Sequence, residues 1–349
     1  MTNQTEPQFT KPKHFSVKAI KRGVFIFVGI SILTFTLLFL YTNTGKTLDV
    51  WSRVDWRYLA GSIVFILVDL YIGGLRNHIF VREFVPGISQ MVCIKANLAN
   101  IFMGAVTPSQ SGGGPAQWYI LYRNGVSLMD VIGTSFYNWI STILFFPLSG
   151  AFAIYILQDD APGGLIMHLT QFGFGAFSTL LIIVLLGLFA PRVLHHFIQG
   201  LVKFVGKFYS PWTDKIESIG NNLTAKFEEY RSRYLGLMTR QPQLMVYSFI
   251  LTIVLYLNKY ILGCVLILAF GIQADFWHVI AIQAVVYLLL YFAPSPGGSG
   301  IAELSISGLM SSVIATEYLA SFTLLYRSVL VFIPALIGSY VVLRQISKE

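Results

Sequence analysis

Five ionisable side chains lie inside long apolar stretches of this chain: Asp69, Lys95, Lys259, Glu303 and Arg327. A charged side chain in a lipid-like environment is costly, so it normally faces a cavity, a partner or a substrate. Lysine and arginine at such positions bind phosphate and carboxylate groups, and the planar guanidinium of arginine bonds two of their oxygens at once. The sequence therefore predicts a buried site for an anion.

Arg327 is the strongest of these candidates, because it lies about ten residues into an apolar stretch, near mid-depth at about 1.5 Å per residue. We predict that Arg327, Lys259 and Lys95 contact the substrate. Arg76 and Arg123, near the ends of their stretches, would guide it inward.

Internal ion pairing is the alternative for the same side chains. Asp69 would then pair with Lys95 or Arg76, and Glu303 with Arg327. Arg76 and Arg123 would instead extend towards the membrane surface, as long cationic side chains commonly do. The sequence leaves both interpretations open.

Two similar Pro/Gly clusters interrupt the apolar pattern, PSQSGGGPAQ at 108–117 and PSPGGSGIAE at 294–303. Both fit P-S-x-x-G-x-G-x-A-[Q/E] without a gap, at an offset of 186 residues between positions 108 and 294. An internal repeat of this kind indicates a transporter whose discontinuous helices meet near the membrane midplane. The predicted breaks are at Pro108, Gly112, Gly113, Gly114, Pro294, Pro296, Gly297, Gly298 and Gly300.

These residue types allow the chain to turn at membrane depth. Proline removes a backbone donor and disfavours helix in the residue before it. Glycine adopts conformations closed to other residues and permits close approach of another chain segment. The half-helix after each cluster would direct its N-terminal N–H groups, with their positive dipole end, at an anion. Tight helix packing or a kink without any ligand is the alternative.

Polar side chains near the breaks are further candidates for hydrogen bonds to the substrate, although they could instead satisfy backbone groups at the turn. Gln117 and Glu303 occupy the same repeat position, where an acidic residue would also suit a helix N-terminus. The candidates at the tips are Ser109, Gln110, Ser111, Ser295 and Ser299, and weaker ones within the helices are Asn97, Asn100, Tyr137, Asn138 and Asn258.

The composition is that of an integral membrane protein. Only 11% of the 349 residues are charged and 55% are hydrophobic, whereas soluble proteins contain about 25% charged residues. The net charge of +8 then reflects cytoplasmic loops and anionic lipid, and no nucleic acid is expected as a partner. The two cysteines lie in apolar runs, and no zinc-like spacing or nucleotide-binding loop occurs, so we expect no metal and no cofactor.

The apolar runs and the positive charges together predict the topology. Two runs are shorter than the roughly 20 residues of a span, namely 89–106 and 276–292. Lysine and arginine are abundant in 1–23 and number eight in 191–242, whereas the loop at 158–169 has none. Both termini are therefore predicted to be cytoplasmic. The remaining runs are 24–41, 58–75, 128–157, 170–190, 243–272 and 317–343.

With this orientation the two short runs must return to the face from which they entered. The predicted fold is an all-α polytopic membrane protein of six full spans plus two re-entrant helical hairpins, which form an inverted repeat. The predicted organisation is a cytoplasmic N-terminal tail at 1–23, a first membrane half at 24–190 with hairpin 89–122, a cytoplasmic amphipathic connector at 191–242, and a second membrane half at 243–349 with hairpin 276–313.

The paired motifs resemble the transmembrane, flippase-like region of the lysylphosphatidylglycerol synthase family. The resemblance runs from about residue 20 to the end and rests on TPSQSGGGPAQWYILYRNGVS and APSPGGSGIAE. The matching residues are Pro108, Gly112, Gly113, Tyr119, Leu121, Arg123 and Gly125, then Pro294, Pro296, Gly297, Gly298, Gly300 and Glu303. Gln117 and Trp118 depart from the Glu and Arg of some members.

The resemblance implies movement of a phospholipid between leaflets, with an aminoacylated phosphatidylglycerol as one candidate. We expect no lipid-modifying activity, because the chain stops at Glu349, before a cytosolic synthase domain. A membrane-embedded transferase acting on a lipid-linked phosphate and a lipid-binding accessory protein are the alternatives. The expected location is the bacterial cytoplasmic (inner) membrane, and a homo-oligomer or a separate lipid-modifying enzyme are the protein partners left open.

Overall fold

The structure is a computed structural model that describes residues 17–42, 45, 49–158, 164–193, 231 and 235–346. Regular structure in these residues is helical, and short 3₁₀ turns lie at Val50–Arg53, Pro108–Gln110 and Pro296–Gly298. In chain order the helices are α1 (Val17–Tyr41), α2 (Trp56–Phe84), α3 (Gln90–Val106), α4 (Gly113–Arg123), α5 (Leu128–Leu157), α6 (Leu165–Phe189), α7 (Pro242–Ala269), α8 (Phe276–Leu290), α9 (Ile301–Met310), α10 (Thr316–Arg327) and α11 (Ile333–Ile346).

Six candidate membrane-spanning helices confirm the number predicted from the apolar runs. Five are α1, α2, α5, α6 and α7, and the sixth is the segment Thr316–Gln345, in which α10 continues into α11 through a π-helical turn at Ser328–Phe332. The first helix begins at Val17, before the apolar run that starts at residue 24. Most of the connector predicted at 191–242 lies outside the described residues.

Polar residues fix where several helices begin. The Asp55 carboxylate accepts the Arg57 N–H at 2.9 Å at the start of α2, and Ser127 accepts the Asp130 N–H at 3.2 Å at the start of α5. The Asp275 carboxylate accepts the His278 N–H at 2.7 Å at the start of α8. These side chains satisfy first-turn donors that the helix itself leaves unpaired.

The two long helices α2 and α7 pack against each other and run antiparallel. Near one end, the Asp55 N–H donates to the Ala269 carbonyl at 2.8 Å. Near the other, the Gln241 side chain donates to the Glu83 carboxylate at 2.9 Å. Since α3 follows the end of α2 and α8 follows the end of α7, α3 and α8 begin at opposite ends of this helix pair.

Each of these shorter helices folds back on the helix that follows it. The first hairpin consists of α3, the break at 107–112 and α4, and the second hairpin consists of α8, the break at 291–300 and α9. The two breaks touch each other. The Ser109 N–H donates to the Pro294 carbonyl at 3.1 Å, so the tips of hairpins that begin at opposite ends of the helix pair meet each other.

The breaks turn by different means. In the second, Gly297, Gly298 and Gly300 have φ of 57°, 70° and 84°, as expected for glycine. In the first, the positive φ values are 49° at Ser109 and 55° at Gln110, both non-glycine residues. The expectation that Gly112 and Gly114 supply such conformations in the first break is therefore wrong.

The glycines of the first break instead allow close approach. A Cβ at Gly113 would lie 2.5 Å from the Asn100 side-chain oxygen and 2.9 Å from its carbonyl, and a Cβ at Gly112 would lie 2.7 Å from the Thr107 methyl carbon. Thr107 in turn accepts the Gly112 N–H at 2.8 Å. The glycines thus bring the start of α4 against α3, and backbone strain is confined to the two polar residues at the tip.

Candidate functional site

A polar cavity of about 260 Å³ lies where α2, α3, α4, α5 and α7 come together. A cavity with so many polar groups among membrane-length helices is unusual, because each buried polar group needs a partner. The lining residues are Asp69, Gly73, Arg76, Asn77, Asn97, Asn100, Ile101, Gly114, Gln117, Ser135, Asn138, Trp139, Thr142, Leu255 and Lys259.

An ion pair between Asp69 and Lys259 forms one wall of the cavity. It joins the two halves of the chain, because Asp69 lies on α2 and Lys259 on α7. The side chains are only 9% and 16% exposed. The sequence suggests Lys95 or Arg76 as the partner of Asp69 if the charges pair internally, whereas in the structure the partner is Lys259. The pair leaves no net charge at this wall.

Arg76 is the cation of the cavity that has no carboxylate partner. Its Nη2 donates to the Asn138 carbonyl at 2.7 Å and to the Thr142 hydroxyl at 3.1 Å. Its Nε is buried without a hydrogen-bond partner, and within the described chain it forms no ion pair. The guanidinium therefore lies at the cavity without a carboxylate to balance its charge.

Gln117 is the centre of a network of neutral side chains that lines another part of the cavity. Its Oε1 accepts from Asn100 at 2.8 Å, and its Nε2 donates to Asn77 at 3.1 Å and to Ser135 at 3.2 Å. Asn138 also donates to the Asn77 oxygen, at 2.9 Å. Because Gln117 uses both an acceptor and a donor, a glutamate at this position would not reproduce these bonds.

The N-terminus of α4 lies at the cavity through Gly114. The first turn of a helix leaves N–H groups without an intrahelical acceptor and carries positive dipole character. No side chain caps α4, which begins after Gly112. The arrangement therefore combines a guanidinium, a paired lysine and a helix N-terminus around one polar space, which suits an anionic group.

Arg327 lies outside this cavity and is paired with Glu303. Its Nε donates to the Glu303 carboxylate at 3.1 Å, and its Nη2 donates to the Gly297 carbonyl at 3.0 Å. The second Glu303 oxygen accepts the Gly300 N–H at 2.6 Å. Both side chains are buried, at 3% and 0% exposure. The sequence left this ion pair open as the alternative to a substrate contact. The pair connects α10 to α9, and each of its two side chains also bonds a backbone group of the second break.

A family model described as "Lysylphosphatidylglycerol synthase TM region" matches residues 24–338, which include the cavity and both breaks. The chain belongs to this family. A UPF0104 membrane protein of Archaeoglobus fulgidus is similar at 24% identity, over 85% of this chain and 89% of its own length. A UPF0104 membrane protein of Pyrococcus horikoshii is similar at 23% identity, over 93% of this chain and 97% of its own.

The other residues that the sequence predicts as substrate contacts lie in different parts of the protein, away from the cavity. Lys95 is exposed and does not line the cavity. Arg123 is exposed at the end of α4, where its Nη1 donates to the Tyr119 hydroxyl at 3.2 Å. Asn258 donates to the Phe65 carbonyl at 3.0 Å, which supports the α2–α7 contact.

The serines at the tips are also away from the cavity lining. Ser109 and Ser111 are exposed, and the hydroxyl of Ser295 is buried without a hydrogen-bond partner. Ser299 is buried, with its hydroxyl 3.0 Å from that of Ser31 on α1. These residues shape or surround the breaks. The polar cavity lies beside the first hairpin instead of at the point where the tips touch.

Sequence reasoning missed seven lining residues, four of which have a polar group in the side chain: Asn77, Ser135, Trp139 and Thr142. A detectable signal was present, because residues spaced by three or four share one face of a helix. Positions 135, 138, 139 and 142 on α5 follow this spacing, as do 69, 73 and 76 on α2. A search for polar stripes on apolar helices would have found this face.

Proposed function

We propose that this multi-pass membrane protein moves a phospholipid between leaflets, with the headgroup passing through the polar cavity. The observation that carries the proposal is Arg76, a cation without a carboxylate partner, beside a cavity of about 260 Å³ that three candidate membrane-spanning helices and the first hairpin enclose. The phosphate would contact Arg76 and the N-terminus of α4, and the acyl chains would stay in the bilayer. Its location in the bacterial cytoplasmic membrane, with cytoplasmic termini, belongs to the same proposal.

Re-entrant hairpins arranged as an inverted repeat are the second part of the proposal. Their support is the matching order of elements: α2 and α7 begin at residues 56 and 242, and α3 and α8 at 90 and 276, an offset of 186 in both cases. The helices α4 and α9, and α5 and α10, are offset by 188, from 113 to 301 and from 128 to 316. The antiparallel course of α2 and α7 is what inversion requires.

Alternating access would follow from movement of one hairpin relative to the other around the cavity. The Asp69–Lys259 pair joins the halves beside the cavity and would separate or re-form as they move. Arg327, predicted from the sequence as a substrate contact, has a different role in this proposal: with Glu303 it holds the shape of the second break.

The transferase alternative receives less support from the geometry. A transferase needs a carboxylate or another group available as an acid or base. Asp69 and Glu303, the two candidates, are each engaged by a cation. A lipid-binding accessory protein remains an outcome of the test below.

Transport is tested by reconstituting the protein in liposomes and measuring how fast a fluorescent phosphatidylglycerol becomes accessible to an external quencher. We expect Arg76→Gln to reduce the protein-dependent rate by about tenfold or more, which corresponds to about 1.4 kcal/mol. The matched control is Arg82→Gln, on the same helix but exposed. No exchange by the wild type, with lipid still bound, would identify an accessory protein. A rate unchanged by Arg76→Gln would refute the assigned site.

Re-entrance is tested separately with cysteines introduced one at a time after Cys93 and Cys264 are replaced by alanine. Gln110→Cys and Pro296→Cys should react more slowly with a membrane-impermeant maleimide than Asn124→Cys, which lies in the exposed turn after α4. Rapid labelling of both break positions from one side of the membrane would contradict the hairpin arrangement.

A further inference from the structure

We infer that the cavity selects a phosphate-bearing headgroup with net negative charge and rejects a cationic, aminoacylated one. The inference rests on the proposed function and specifies its substrate class. It depends on the charges that line the cavity and on which of them are already paired.

The lining contains two cations, Arg76 and Lys259, and one carboxylate, Asp69. Asp69 is engaged by Lys259. The lining therefore has a net positive charge, located at Arg76. A headgroup phosphate would supply the missing counter-charge for the Arg76 guanidinium.

A lysyl ester of phosphatidylglycerol would place two ammonium groups in the same space. The one carboxylate of the lining, Asp69, is already paired with Lys259. Either ammonium would therefore add a positive charge that the lining does not neutralise. Like charges in a partly buried site repel each other more strongly than in water. The cavity offers no second carboxylate to offset that repulsion.

Neutral donors reinforce the preference for an anion. The Asn97 side chain lines the cavity and makes no hydrogen bond within the described part of the chain, so its amide N–H₂ remains for a phosphate oxygen. The volume points the same way. At about 260 Å³ the cavity is smaller than the roughly 300–1,000 Å³ of sites for drug-sized ligands, which favours a compact headgroup over one extended by a lysyl chain.

The test measures lipid binding to the full-length protein in detergent by native mass spectrometry. Three lipids with identical acyl chains are titrated: phosphatidylglycerol, lysyl-phosphatidylglycerol and phosphatidylcholine. We expect phosphatidylglycerol to bind at least tenfold more tightly than its lysyl ester. Free glycerol phosphate is added as a competitor, and we expect it to displace the lipid weakly.

Three variants test the charge argument directly. Arg76→Gln should weaken phosphatidylglycerol binding about tenfold, and the matched control Arg82→Gln should leave it unchanged. Asn97→Asp adds a carboxylate of nearly the same shape, and it should reduce or reverse the preference for phosphatidylglycerol over the lysyl ester. A merely structural role for position 97 would lower the affinity for both lipids equally.

The outcomes separate this inference from the proposed function. Wild-type protein that binds and exchanges the lysyl ester as well as phosphatidylglycerol overturns the inference and leaves lipid transport standing. Displacement by glycerol phosphate at the affinity of the lipid would identify a soluble phosphate as the ligand and overturn the lipid class. Absence of specific binding to all three lipids, together with absence of exchange, refutes the proposed function itself.

Discussion

The buried ion pair between Arg327 and Glu303 gives the strongest prediction about stability. The perturbation is Glu303→Gln, which keeps the size of the side chain and removes its charge. The Arg327 guanidinium, 3% exposed, then lacks its counter-ion, and the bond from the Gly300 N–H is made to a neutral oxygen. Removing one partner of a buried pair is costly because the other charge stays in a low-dielectric interior.

The magnitude can be worked from the geometry. With 3.1 Å between Nε and Oε1 and an effective dielectric of about 20, the direct attraction is about 5 kcal/mol. Arg327 keeps its bond to the Gly297 carbonyl, which offsets part of the loss. We therefore expect Glu303→Gln to lower the free energy of unfolding by about 3–4 kcal/mol.

The assay is equilibrium unfolding in detergent, with Arg327→Met and the double variant completing a thermodynamic cycle. The double variant should lose clearly less stability than the two single variants together, because it leaves no unpaired charge. A loss below about 1 kcal/mol for Glu303→Gln, or additive losses, would refute this reasoning. In that case Arg327 would again be a candidate for direct contact with substrate.

Three further substitutions are tested by thermal unfolding in detergent. Asp69→Asn leaves Lys259 charged without a partner and should lower the free energy of unfolding by about 3 kcal/mol. The double variant with Lys259→Met should recover much of that stability, and equal losses in the single and double variants would contradict this. Gly74→Ala places a Cβ 2.9 Å from backbone of α3 and should cost about 1–3 kcal/mol. The control Gly61→Ala on the same helix, with no atom within 4 Å, should cost nothing; equal effects at the two glycines would refute the packing argument. In Gly297→Ala the alanine would have to adopt φ of 57°, and its Cβ would lie 2.9 Å from a carbonyl of the first hairpin. The free energy of unfolding should therefore fall by about 2 kcal/mol. A stability equal to that of the wild type would show that the second break tolerates a side chain there.

The sequence predicted the membrane-spanning helices because hydropathy and length are local properties. The same holds for the two short helices that end at Pro/Gly clusters. The φ values at the first break were not predictable in this way. Glycine is the usual residue for positive φ. At the first break, however, Gly112 and Gly113 are needed because a side chain there would collide with the end of α3 or with Thr107. The positive φ values that turn the chain occur at Ser109 and Gln110.

The cavity was predicted only in part, because it depends on contacts between distant helices. The apolar runs identified Asp69 and Lys259 as buried charges and placed Arg76 near the end of its run, but they did not reveal that Asp69 and Lys259 pair or that Arg76 lies at the same cavity. The pairing depends on α2 crossing α7 at particular positions, which no local pattern encodes. For Arg327 the sequence left two roles open, and a residue 24 positions away, Glu303, is its partner in the structure.

The contact between the hairpin tips differs in strength from the contacts within each hairpin. The tips share the hydrogen bond from the Ser109 N–H to the Pro294 carbonyl, and such a bond contributes about 1 kcal/mol net. At the second hairpin, Arg327 of the neighbouring helix α10 forms a buried ion pair with Glu303 on α9 and donates to the Gly297 carbonyl in the break. Within the first hairpin, Gly113 packs against the backbone of α3. Each hairpin thus has its own internal support, and the surface between them includes this hydrogen bond and the close packing of Gly297 on Ala105. A movement of one hairpin as a rigid body would therefore have to break contacts at this surface and could leave the turns themselves unchanged.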